Sequence, residues 1–420
     1  MARVTWRLIP FLCLLFLVNY LDRTNAAMAK LRMLGDTGLS SAAYGLGMGL
    51  FFIGYCLFEV PSNLILQRIG AKRWIARIMI SWGLCSAAMM FTRGPLSLYA
   101  IRFFLGVAEA GFFPGIVFYL AHWVPQKRRA RAMSLFLTST ATSGVVGTPL
   151  AGWLMKMDGL AGLHGWQWLF LLEGLPPVLL GLAILRMGLL PERPSDAHWL
   201  APDERDWLTE ELERDGSHEA VHHIRDLGAA AADGKLWVLC ALYFLLIMGL
   251  YGFVYWAPTI VQDLTALSDA KVGMMTAIPY LVGAVTMVLI GRHADRTGRR
   301  KYHVSACALT GAIGLMVLAF ASHHAILGMA SLCVAAIGIF GTLGPFWAIP
   351  TRYLRGTAAA GGIAVINSSG AIAGFVAPSA IGFAVKQTGS TSPGLLLVAI
   401  SLAAGAAVVL FVPMTIDSAN

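Results

Sequence analysis

Asn19-Tyr20-Leu21-Asp22-Arg23-Thr24-Asn25 lies in the middle of the first long apolar run of the chain, Leu8 to Met28. A run of that length otherwise fits a membrane-spanning helix, which needs about 20 apolar residues. One charged side chain at mid-bilayer costs about 2.5–3.5 kcal/mol on insertion scales. Asp22 and Arg23 together, flanked by Asn19, Tyr20 and Asn25, are tolerable only where they face a protein interior or a watery cavity. An intramembrane ion pair reads first as a functional site and second as a structural bridge locking two helices. Arg102 and Glu109, in the fourth apolar run, form a second charged set, and their spacing of seven residues puts them on one helix face.

The rest of the composition agrees with a membrane setting. The chain is 57% hydrophobic and 13% charged, which describes an integral membrane protein rather than a soluble globule. Its net charge of +9 implies no nucleic-acid partner, because most basic residues fall in short loops between apolar runs. The N-terminus has the basic and apolar parts of a signal peptide, but Asp22-Arg23 sits badly before a cleavage site and the segment is expected to stay as a helix. Six cysteines lie in apolar runs without a CxxC or a Cys/His pair, so they read as small buried hydrophobes.

Twelve apolar segments can be counted: 8–31, 42–66, 74–92, 96–121, 130–155, 167–190, 236–262, 271–293, 302–322, 325–348, 358–385 and 393–413. The predicted fold is therefore an all-α integral membrane protein of 12 transmembrane helices. The polar stretch 191–235 reads as a linker carrying a short amphipathic helix, Pro202–Asp215, at the membrane surface. Loops after segments 2, 4, 8 and 10 hold fifteen basic residues, among them Arg68, Lys127, Arg299 and Arg352, against six in the opposite loops, including Lys30 and Arg32. Both termini and the linker are then expected in the cytoplasm. Arg23 and Arg102 are the basic residues expected well inside spans.

An internal repeat divides the chain. Leu39-Ser40, Gly45 and Arg68-Ile69-Gly70-Ala71-Lys72-Arg73 recur as Leu267-Ser268, Gly273 and Arg296-Thr297-Gly298-Arg299-Arg300-Lys301, at a constant offset of 228. Two pseudo-symmetric six-helix halves follow, 1–190 and 236–420, joined by the linker 191–235. Parallel repeats of this kind build transporters with a central site between two rocking halves.

Gly291-Arg292-His293-Ala294-Asp295-Arg296-Thr297-Gly298-Arg299-Arg300-Lys301 resembles the loop signature of the major facilitator superfamily. Its degenerate first-half copy lacks the acid. Asp295, with Arg296 and Arg300, is the expected gating latch, since an acid at a helix end can accept from arginines and from a neighbouring helix N-terminus. A finer resemblance is to the anion:cation symporter family, in its tartrate and phthalate permease branch. Asn19–Asn25, Gly54–Asn63, Arg102–Pro114 and Trp166–Gly174 carry it. That resemblance implies the major facilitator fold and proton-coupled uptake of a small organic carboxylate such as tartrate. An aromatic acid (phthalate, hydroxyphenylacetate) or a sugar acid is the alternative, and a transporter-derived sensor the alternative of another class. It further implies Asp22 and Glu109 as candidates for the proton-coupling carboxylates, a bacterial inner membrane, and a monomer that needs membrane lipid and no cofactor beyond the coupling proton.

The charges suit that chemistry. An incoming carboxylate pairs with a guanidinium in fork geometry, which arginine offers better than lysine. Taking Arg23 from an acidic neighbour leaves a desolvated carboxylate that favours its protonated form, so anion and proton bind together. Arg23 and Arg102 are the anchor candidates. Tyr20 and Tyr55 are candidate hydroxyl donors, Asn367 and Ser368 form the polar cluster of segment 11, and Trp347 is a further substrate candidate. Glu59 reads as a helix-latch residue near Pro61, and Glu173 as a structural cap or pair. No HExxH, GxSxG or GxxxxGK[ST] motif occurs, which argues against an enzyme or an ATP-driven pump.

Overall fold

The computed structural model describes residues 2–197, 199–214, 234–321, 324–350 and 357–412. Arg352, Arg355 and most of the linker, 215–233, lie outside the described residues. Fourteen longer helices run through the rest: α1 Ala2–Thr37, α2 Ser41–Ile69, α3 Ala71–Ala88, α4 Pro95–Glu109, α5 Phe112–Ala121, α6 Gln126–Leu154, α7 Gly165–Met187, α8 Pro202–Arg214, α9 Gly234–Thr265, α10 Asp269–Thr297, α11 Arg300–Phe320, α12 Ala325–Trp347, α13 Thr357–Thr388 and α14 Ser392–Phe411. No strand occurs among the described residues.

Eleven stretches are long and apolar enough to cross a membrane, with α4 and α5 counting as one. The expected fifth span, α6, has the length but not the apolarity. Ser139, Thr140, Ser143 and Thr148 are buried along it, so its polar side faces protein, not lipid. Outward-facing apolar side chains such as Phe104, Leu179 and Phe411 are mostly exposed, as a lipid-facing surface requires.

One span departs from the sequence expectation. The fourth was predicted continuous over 96–121, but it breaks after Glu109. Gly111 adopts φ 87, in the left-handed region. The break frees the Ala110 carbonyl, and the Ser62 hydroxyl donates to it at 2.6 Å. Glu109 is thus the last residue of α4, at a discontinuity of the kind that transporters place at binding sites.

Glycines bring α2 and α4 into backbone contact. A Cβ on Gly106 would run into the Phe51 carbonyl, and one on Gly54 into that of Phe103. Helices α1–α7 and α9–α14 meet chiefly through α2 with α13, α6 with α10 and α1 with α9. At the end holding the α1–α2 and α9–α10 turns this contact is tight. Gly45 lies against the Pro378 carbonyl and Gly273 against that of Thr148, while Arg32 Nε donates to Asp269 Oδ2 at 2.8 Å.

Lys30, expected as a loop charge, lies inside α1 and is 4% exposed. Its Nζ donates to Thr259 Oγ1 at 3.0 Å and sits 3.1 Å from the Trp256 ring centroid. The amphipathic helix α8, expected at the membrane surface, buries Leu208 and Leu212 against the protein. Glu204 at its start pairs with Arg3 of α1 at 2.9 Å. All six cysteines are free.

Candidate functional site

A cavity of about 120 Å³ opens where α1, α2, α9, α12 and α13 converge. That is the scale of the ~150 Å³ cavities that hold a single six-membered ring. Arg23 and Glu109 face each other in its wall, with Arg23 Nη2 donating to Glu109 Oε1 at 2.7 Å. Both side chains are more than nine-tenths buried. Arg23 Nη1 donates to Asn19 Oδ1 at 3.2 Å, one helical turn back, and Nε has no acceptor. The guanidinium carbon also lies 4.6 Å from the Tyr20 ring centroid and 5.3 Å from that of Phe51, over two aromatic faces. The cation is held by one carboxylate, in a single hydrogen bond rather than a fork.

The expected pairing of Arg23 with its sequence neighbour does not occur. Asp22 points away from the cavity, toward α3 and α7, where it accepts from Ser86 Oγ and, at 3.3 Å, from Asn25 Nδ2. Consecutive helical residues are about 100° apart and cannot share a face. Arg23 therefore meets the acid of α4 and leaves Asp22 behind it.

Arg102 and Glu109 share one face of α4, as their spacing predicts, but lie two turns apart and take different partners. Arg102 is 1% exposed, donates to Tyr255 Oη at 3.3 Å and does not line the cavity. Glu109, at the end of α4, meets α1 instead.

The remaining candidates divide as well. Tyr20, Tyr55, Trp347 and Asn367 line the cavity. Ser368 does not, and faces Cys56 of α2. Asn367 Nδ2 donates to Glu59 Oε1 at 3.1 Å, which ties α13 to α2 across the molecule. At the far end of α10, Arg300 Nη2 meets Asp295 Oδ1 at 3.3 Å, and Arg300 Nη1 donates to the Ala348 carbonyl at 3.3 Å. Arg296 is exposed and has no hydrogen-bond partner among the described residues.

Several cavity residues carried no signal strong enough to be singled out. Tyr243 and Tyr251 of α9 line it with Phe51 and Phe52 of α2. Phe52 and Tyr251 rings are 4.4 Å apart, edge to face. Tyr243, Tyr251 and Tyr255 recur at spacings of eight and four, a helical face that periodicity could have found. Glu173, read as a structural cap or pair, has no hydrogen-bond donor at either oxygen although it is 7% exposed.

The family model of the Major Facilitator Superfamily matches residues 12–378, with a second match over 261–418. The chain is 45% identical over 417 residues to an Agrobacterium vitis protein named as a tartrate transporter, covering 99% of this chain and 95% of that one. It is 43% identical over 397 residues to the metabolite transport protein NicT of Pseudomonas putida, covering 94% and 90%. Among solved structures it resembles a bacterial homolog of the human lysosomal transporter Spinster in an inward-facing, occupied conformation. The TM-score is 0.76 at 16% identity, over 96% of each chain, a likeness of fold alone. With a helical bundle long and apolar enough for a membrane and a small central cavity already in place, these matches settle the family: the chain belongs to the major facilitator superfamily and is a membrane transporter, not an enzyme.

Proposed function

We propose that this transporter carries a small organic carboxylate of the tartrate class into a bacterial cell together with a proton, by alternating access. The observation that carries the reading is the buried Arg23–Glu109 pair in the cavity wall. A substrate carboxylate reaching the cavity competes with Glu109 for Arg23, whose Nε edge is open. A forked carboxylate is the stronger partner for a guanidinium. Displaced Glu109 then sits in a dry wall without its cation, where its protonated form is the stable one. Anion and proton load together, and a loaded site is close to neutral. Asn367 and the Tyr20 and Tyr55 hydroxyls complete the polar lining for hydroxyl and carboxyl groups of the substrate.

The two six-helix groups, 1–190 and 236–420, are the halves that rock about this site, with the linker 191–235 and both termini in the cytoplasm of an inner membrane. The basic-residue distribution supports that orientation, and it places the tight end of the bundle outside. One monomer holds the whole cavity and needs no cofactor.

In proteoliposomes an inward proton gradient drives accumulation of labelled tartrate, and a protonophore abolishes it. Accumulation that follows sodium and ignores the protonophore overturns the proton coupling. A second reading is favoured by the aromatic walls: Phe51, Phe52, Tyr251 and Trp347 suit a benzene ring, and so an aromatic acid. A thermal-shift panel of tartrate, phthalate, hydroxyphenylacetate and sugar acids separates the two, since a ligand stabilises by its binding energy.

A further inference from the structure

Behind α1, on the face turned away from the cavity, lies a second buried polar set. Asp22 is 6% exposed, Glu173 7%, and Asn25 and Ser86 are fully buried. Close packing of α3 on α7 brings them together: a Cβ on Gly174 would stand 2.7 Å from the Ala87 nitrogen and 2.8 Å from the Gly83 oxygen. Glu173 and Ser86 are the residues next to that contact. Asp22 receives both hydrogen bonds that the set offers, from Ser86 Oγ and Asn25 Nδ2. Glu173 lies beside the Asn25 amide, but neither of its oxygens has a donor within hydrogen-bond distance, and Asn25 Oδ1 has no donor either.

Among the described residues no cation pairs with the set. Arg23 follows Asp22 on α1 but faces Glu109 on the other side, and the Cys85 thiol of α3, Glu109 of α4 and Tyr255 of α9 are the further titratable groups that feel Asp22. Two carboxylates in one dry space, with no counter-charge, cannot both be ionised. Hydrogen bonds favour the charged form of the group that receives them. Neither Glu173 oxygen has a donor within hydrogen-bond distance, and the neighbouring Asn25 amide is the group that could supply one.

We infer that Asp22, Asn25, Ser86 and Glu173 form a proton-binding site separate from the substrate cavity, in which Glu173 holds the proton and offers it to the idle Asn25 oxygen. Asp22 adjoins Arg23 on one helix, so a turn of α1 that brings Arg23 to a substrate also moves Asp22 against Ser86. Assigning this proton to the transport cycle rests on the proton-coupled reading above. The existence of the site does not.

Infrared spectroscopy of the full-length protein in lipid at neutral pH tests it. The difference spectrum of wild type minus Glu173→Gln is expected to show one protonated-carboxyl C=O stretch. That band shifts when the protein is grown with glutamate labelled by 13C at the side-chain carboxyl, and a wild type with no protonated-carboxyl band that shifts with this label overturns the assignment without any variant. Asp22→Asn retains it. Ionised-carboxylate bands in the difference spectrum, or a band lost in Asp22→Asn and kept in Glu173→Gln, overturn the assignment. Proton-driven accumulation is expected to fall at least about tenfold in Glu173→Gln, a loss of about 1.4 kcal/mol in coupling. The band without that fall leaves the site standing and overturns its part in transport, whereas a wild type that ignores the proton gradient refutes the symport reading alone.

Discussion

Arg23 makes one hydrogen bond to a carboxylate where its fork has room for two, and that is where substrate affinity should reside. A hydrogen bond to a charged group is worth about 1.5–3 kcal/mol. Arg23→Lys keeps the charge and loses the fork, so substrate binding measured by counterflow is expected to weaken by about 10- to 100-fold. Equal binding by the lysine variant would make Arg23 structural. Glu109→Gln mimics the protonated acid in size and hydrogen bonding. It is expected to abolish proton-driven accumulation while substrate counterflow persists, and parallel loss of both would make Glu109 part of the architecture. At this scale the sequence named the charged residues but paired them wrongly. Asp22-Arg23 invites an ion pair on the page, whereas a helix turns neighbours apart. Glu109 is the partner, 86 residues away, and no local pattern announces a contact of that range.

Among the elements, the discontinuity between α4 and α5 matters most, because it ends α4 directly at Glu109. It depends on Gly111, whose φ of 87 is strained for any L-residue and whose missing Cβ leaves room for Ser62. Gly111→Ala is expected to lower the melting temperature and transport together. Gly159→Ala tests strain by itself, since φ there is 81 and nothing lies within 4 Å of an added Cβ. It is expected to lower stability by about 1–2 kcal/mol and leave transport intact. Equal effects at the two glycines would mean that the break has no special role. Spans were legible because lipid demands a length of apolar chain. The break was not, because the run from Arg102 to Pro114 is apolar enough to read as one helix, and α6 hid its polar side in protein contacts.

The whole molecule is held shut at one end by two cationic contacts that differ in worth. Arg32 is 60% exposed at its side chain, and exposed pairs contribute at most about 1 kcal/mol. Lys30 lies buried over Trp256, where a desolvated cation–π contact is worth about 2 kcal/mol. Lys30→Met should therefore open that end more than Asp269→Asn does. Labelling of an Ala270→Cys thiol by a membrane-impermeant maleimide, read above the native cysteines, is expected to rise more in the Lys30 variant. The reverse order would make the surface pair the principal lock. The Arg23–Glu109 pair also bears on how the protein is made. Translation at roughly 5–20 residues per second delivers Glu109 several seconds after Arg23. Ser86 and Glu173 also follow α1 in the chain, so α1 is synthesised with both of its central charges unmatched. It cannot be released into lipid alone at low cost. The insertion machinery must shelter it until α4 arrives, and a nascent chain stalled before Pro95 should be a substrate for quality-control proteolysis, whereas one stalled after α7 should persist.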